Sequence, residues 1–257
     1  MAKKCLLALA IFVLLTPCFA FAKRDVLLEV EGRYWFTDME GKINVTENDL
    51  GTDIDFRKDL DIKDEGYPEV RLTWYTGKNS RIRAAYTQVE YEGDADLKRT
   101  IEFNGETCLV GTRVLSEADI RYLRIGWAWQ FINIGKGFLK LGTLVEGIGF
   151  WVEGSLEAPN LSPPIRESEE FWFGLPTVGM ALNVRPHGML DIFAEGSGMY
   201  AGSYGYVYDC EAGIKLIPIK ILSLLGGYRI LDFKAKHDPD YVKVKLHGPF
   251  VGVTVRF

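Results

Sequence analysis

The sequence predicts an all-β chain: an antiparallel up-and-down barrel of ten strands, with eight or twelve as the alternatives, that crosses a membrane. Three observations carry this. Period-two alternation recurs in segments of about ten residues separated by turn residues. The connections at one end are all short, and two of those at the other end are long. Aromatic residues gather near both ends of the segments.

Composition sets the frame. The chain has 257 residues, 47% hydrophobic and 13% aromatic, with 27 glycines. That suits a β-rich fold and leaves room for one barrel domain. The formal net charge of −5 leaves no basic footprint for nucleic acid. Residues 1–22 read as a signal peptide. Lys3 and Lys4 precede the apolar run Leu6–Leu15, Pro17 ends it, and Ala20-Phe21-Ala22 offers a cleavage site. Ten apolar residues are too few for a membrane helix. The barrel domain is therefore expected over 23–257. Of the four cysteines, Cys108 and Cys210 fall in that domain, and their pairing is left open by spacing alone.

The strands follow in order. The first, Leu28–Phe36, sets Leu28, Val30, Gly32, Tyr34 and Phe36 against Glu29, Glu31, Arg33 and Trp35. The second covers about Glu69–Thr76, and the turn Gly77–Ser80 follows. The third starts at Arg81 and runs to about Phe103, where Asn104-Gly105 is a strong hairpin signal. The fourth runs from about Thr107 to Phe131, the fifth from Phe138 to about Glu153, and the sixth from Phe171 to Val184. The seventh covers about Met189–Tyr200, the eighth Val207–Ile217, the ninth Ile221–Lys234 and the tenth Tyr241–Phe257. In the tenth the alternation changes phase near Gly248-Pro249, so a bulge is expected there.

With the odd strands running up, the lower turns are 76–80, 132–137, 185–188 and 218–220. The upper connections include two long loops, 37–68 and 154–170. Trp74, Trp127, Trp129, Phe131, Phe138 and Phe257 form the lower aromatic band. Tyr34, Phe36, Phe150, Trp151, Phe171, Trp172, Phe173 and Tyr200 form the upper one.

The chain ends in alternation, with Val251, Val253, Val255 and a terminal Phe257 on one face. This closely resembles the C-terminal signal of bacterial outer-membrane β-barrel proteins. The resemblance implies a Gram-negative outer-membrane location, delivery to the barrel assembly machinery through Val253, Val255 and Phe257, and contact with outer-membrane lipid and lipopolysaccharide. It implies no cofactor. In lipid every backbone N–H and C=O must pair, which a closed barrel achieves.

If the apolar face meets lipid, the inward set includes Glu29, Glu31, Arg33, Arg71, Arg83, Arg124, Lys140, Glu146, Asp191, Glu195, Asp209, Glu211, Lys215, Arg229 and Arg256. Mixed charges in a narrow lumen should pair into networks, because an unpaired buried charge is costly. The leading expectation is a plugged interior in a structural or interaction barrel. The alternative is a narrow, porin-like channel for small solutes or ions.

Outside the lumen, residues 38–65 hold ten acidic and four basic side chains. Their spacing does not match a calcium loop, so no metal site is expected and the segment reads as an acidic surface loop. Ile54, Phe56, Leu60 and Ile62 within it are candidates to anchor a short helix or an inward-folded plug. Lys234, Lys236, Lys243 and Lys245 on the last hairpin are candidate contacts for lipopolysaccharide phosphates. Catalysis has little support. Omptin-type barrel proteases carry paired aspartates and a His/Asp pair across the barrel mouth, and His237-Asp238 matches this only loosely. Lipid-modifying barrels use a His–Ser arrangement, for which His247 has no evident serine. A hydrolase is the third reading, and no catalytic residue is assigned.

Overall fold

The computed structural model describes residues 27–47, 50–59, 61, 65–98, 100–103, 106–135, 137–160, 165–237 and 240–257. The signal-peptide segment, Leu60, Ile62 and Asp238 lie outside them. Ten long strands form the barrel: β1 (Leu28–Glu47), β3 (Glu65–Tyr75), β4 (Ser80–Asp96), β7 (Arg113–Ile134), β8 (Leu139–Ala158), β9 (Ile165–His187), β10 (Leu190–Tyr200), β11 (Gly205–Leu216), β12 (Leu222–His237) and β13 (Asp240–Arg256). Each pairs antiparallel with its neighbour, and β13 pairs back onto β1 to close the ring. Short strands β2 (Leu50–Asp55), β5 (Ile101–Phe103) and β6 (Glu106–Cys108) sit at the long-hairpin end.

Asn104-Gly105, the expected hairpin turn, lies outside the described residues; the ladders on either side of it are described. Asp96↔Arg113 on β4–β7 and Ile101↔Cys108 on β5–β6 share one register, so the two ladders form one interrupted hairpin. The short turns also fall where expected, at the end that carries both termini.

The two long loops need correction. Most of 37–68 is strand: β1 continues to Glu47, and β2 pairs back on it through Lys42↔Asp55 to Glu47↔Leu50. Most of 154–170 is strand too, with β8 and β9 paired up to Ala158↔Ile165. The barrel therefore rises well past its apolar belt. These stretches resemble loops in sequence because their outward residues are acidic and their apolar residues have moved to the inward positions.

The expected bulge at Gly248-Pro249 is absent for the same reason. The β1–β13 register holds from Glu29↔Arg256 to Asn44↔Tyr241, and β12–β13 is regular throughout. What changes at Gly248 is polarity. Below it Val251 and Val253 point outward and are exposed; above it Leu246 points inward and is buried, while Lys243 points outward. The register shifts that do occur lie near the short-turn end, between Gln130 and Ile132 and between Leu190 and Ile192.

The outward belt is apolar over a height of about ten residues per strand. On β7 it runs from Leu123 through Ile125, Trp127 and Trp129 to Phe131, with exposed Arg121 above it and Asn133 below. That is the span a tilted strand needs to cross a hydrocarbon layer. Tyr34, Phe36, Tyr86, Trp151, Trp172 and Tyr228 mark its upper edge and are exposed. Phe150 and Phe173, expected in that band, instead face inward. The side chain of Phe171 lies outside the described residues.

At Gly248 the strands of the closing seam come close. A Cβ there would lie 1.8 Å from the Phe36 carbonyl oxygen. Gly248→Val is expected to block closure, seen as loss of the compact, heat-modifiable band on a gel. Gly32→Val, on the same seam but with open space around its Cβ position, should fold normally.

Candidate functional site

Strand parity sends alternate side chains inward, and the interior they build has three levels. At the short-turn end is a polar vestibule of about 420 Å³, lined by residues including Glu29, Arg81, Lys140, Arg185, Asp191, Lys215 and Arg256. Arg256 donates to Glu29 at 2.7 Å, Lys215 to Glu31 at 3.1 Å and Arg185 to Asp191 at 2.8 Å.

The middle level is a dense ion-pair network. Arg33 makes a two-pronged contact with Glu211 at 2.9 and 3.1 Å, and Arg71 reaches both oxygens of the same carboxylate at 3.0 Å. Arg71 also bonds Glu195 at 3.1 Å and Glu69 at 3.2 Å. Arg83 joins Glu195 to Glu146, at 2.5 and 2.9 Å. Arg229 grips Asp209 through two bonds of 2.9 and 2.7 Å and contacts Glu69; Arg124 bonds Asp209 at 3.0 Å. Ser197 donates to Glu146 at 2.6 Å and Thr254 to Glu31 at 2.8 Å. Bidentate geometry suits the planar guanidinium, which is why arginine rather than lysine fills this level. Glu69 is 2% exposed, Asp209 and Arg229 1% each, so water has almost no access to them.

All fifteen residues expected in the lumen take inward positions, and the network joins most of them across the barrel. Sequence reasoning missed Glu69 and Arg81. Both share the parity of Arg71 and Arg83, which was the available signal.

A cation–π layer tops the network. The guanidinium of Arg229 lies 4.6 Å from the Trp35 ring, and that of Arg33 lies 4.5 Å from the Phe250 ring. The Tyr122 hydroxyl donates to Asp209 at 2.8 Å, and the Trp35 indole N–H donates to the Gly248 carbonyl at 3.2 Å. Above this floor the interior becomes an apolar chamber. It is lined by Met39, Ile43, Val89, Ile120, Phe150, Val152, Leu156, Phe173, Leu231, Phe233, Val242, Val244 and Leu246. Ile54 and Phe56 of the first long hairpin fold against it, as expected for an inward plug. No reading of the sequence anticipated the chamber.

On the outer surface, Lys42, Lys243 and Lys234 stand directly opposite one another across β1, β13 and β12. Lys245 lies opposite Asp232 and 3.5 Å from Glu40. Lys236 lies opposite Tyr241. His247 also faces outward. Its Nε2 is hydrogen-bonded to the Glu40 carboxylate at 3.2 Å, and its Nδ1 to the Tyr228 hydroxyl at 2.9 Å. That hydrogen bond from His247 holds the Glu40 carboxyl below the usual carboxylate range. The His237 side chain lies outside the described residues, and His187 sits in a short turn, accepting from the Met189 N–H at 3.3 Å. Cys210 carries a free thiol facing outward in the belt. Among the described residues no cluster of His, Cys, Asp or Glu could hold a metal ion.

No family model matches the chain, and no curated protein matches it in sequence. Among solved structures it is similar to the outer membrane protease OmpT from Escherichia coli. The identity is 7%, over 93% of this chain and 99% of that one, with a TM-score of 0.57. The translocator domain of the autotransporter NalP from Neisseria meningitidis matches at 9% identity over 91% and 90% of the two chains, with a TM-score of 0.46. At 7% identity the first likeness speaks to the fold alone.

Removing one buried partner leaves its carboxylates uncompensated. Arg229→Ala should therefore lower the unfolding free energy by about 3–5 kcal/mol. Lys215→Ala, at the wetter rim of the vestibule, should cost about 1 kcal/mol or less. Urea unfolding in lipid vesicles, followed by tryptophan fluorescence, measures both.

Proposed function

The chain has the fold of a bacterial outer-membrane β-barrel, and from that premise we propose that it is a shut barrel, a structural or interaction protein rather than a pore. The observation that carries this is the middle network, whose side chains fill the lumen and are bonded across it from opposite walls. A hydrated ion entering there would have to break several charge-assisted hydrogen bonds at once. By the convention of such barrels, the short turns and vestibule face the periplasm and the long hairpins face outward. The working surface is then the outer half. The barrel is read as non-catalytic: the partners of His247 are Tyr228 and Glu40 on the outer wall, not an aspartate across a mouth.

Planar-bilayer recording of refolded protein should show no steady openings. Arg71→Ala combined with Glu211→Ala, which empties the centre of the network, should give discrete conductance. Steady openings in the unmodified protein would favour the narrow channel instead.

We further propose that the basic row on the last hairpin holds anionic lipid headgroups, lipopolysaccharide phosphates in the outer leaflet. Like charges directly opposite on neighbouring strands repel. Lys42, Lys243 and Lys234 form such a row above the apolar belt, six residues beyond Phe36 and Tyr228 at its edge, where phosphates would relieve the repulsion. Added lipopolysaccharide should raise the melting temperature of the folded barrel. The rise should fall by at least about half in the variant Lys42→Ser, Lys234→Ser, Lys243→Ser. An equal rise in both proteins counts against the contact.

A further inference from the structure

We propose that the upper chamber is a binding site for a small, uncharged, ring-bearing molecule with one hydrogen-bonding group. The reading is independent of whether the lower half conducts.

The chamber leaves a void of about 180 Å³ behind an almost wholly carbon wall. An engineered apolar cavity of roughly 150 Å³ stays dry and holds benzene, so this space suits one ring system. The recess has a structural origin. Ala118 on β7 stands directly opposite Gly154 on β8, and both line the chamber. A Cβ on Gly154 would meet no atom within 4 Å. Closely packed interiors rarely leave such space unfilled. The Phe150, Phe173 and Phe233 rings stack on one another in its wall, with centroids 4.9 to 5.6 Å apart and planes within 29° of parallel. A ring-bearing guest adds to such a cluster through further aromatic contact.

Of the polar residues that border the chamber, Thr87 already donates to the Pro68 carbonyl, and Glu117 and Ser155 occupy outward strand positions. Ser116, the inward residue next to Ala118 on β7, lines the same space and is 6% exposed. Its hydroxyl has no hydrogen-bond partner among the described residues. A buried hydroxyl left unpaired is costly, and a single donor or acceptor on a guest would satisfy it. The wall also disfavours a charged guest, because an ionised group buried against carbon finds no partner there.

The test is calorimetric titration of the refolded barrel in phosphatidylcholine nanodiscs, with empty nanodiscs as the partition blank. Naphthalene, 1-naphthol and decanoate are the probes. Both ring compounds should bind saturably at one per barrel, and decanoate should not. Ser116→Ala should weaken 1-naphthol by roughly three- to tenfold, the loss of one hydrogen bond, and leave naphthalene unchanged. Gly154→Phe, which fills the recess, should abolish binding of both. Ala118→Leu carries the same test if the gel shift finds Gly154→Phe unfolded. Absence of saturable ring binding would overturn the proposal. So would ring binding that survives the filling variant, and binding of decanoate in preference to 1-naphthol would overturn the ligand class.

Discussion

A β-strand keeps its pleat when the solvent around it changes, and the interior of this barrel is organised by that constraint. Ten strands leave lipid and continue into water with register unbroken, as β13 does across Gly248. Outward positions that must be apolar in lipid must be polar above it. The inward positions take the complementary role. Below, where lipid covers the outside, the interior carries Arg33, Arg71, Glu211 and Arg229. Above, where water covers the outside, it carries Leu246, Phe233 and Val89. The lower half is built inside-out and the upper half like a soluble β-barrel.

The two halves are stabilised by different forces. Apolar burial drives the upper half, as in any aqueous core. In the lower half the lipid accepts only apolar outward side chains, and the backbone ladder is held because every N–H and C=O must pair. The interior there carries mixed charge, which is tolerable only when nearly fully paired. The junction is a layer of amphipathic aromatics. Trp35 and Tyr122 meet charge below through cation–π contact and hydrogen bonding, and meet hydrocarbon above.

This division also separates the functional readings. The ion-pair network fills the lower half of the lumen. The outer half carries an acidic outer wall, a basic row above the belt and an apolar void. The row faces outward and the void lies within the barrel, the first cationic and the second apolar.

Much was legible in the residues themselves. Alternation around Leu28–Phe36 and Leu123–Phe131 determined strands and faces, and parity determined which charges enter the lumen. Period two defines two faces and nothing more. Which face meets solvent depends on height along the barrel, so 37–47 and 154–158 resembled loops although they are strand. Partners such as Arg33 and Glu211, 178 residues apart, follow only from closure of β13 on β1. The chamber is likewise a product of closure: Ala118, Gly154 and Phe233 have no common pattern in sequence, and the ring of strands alone turns them toward one space.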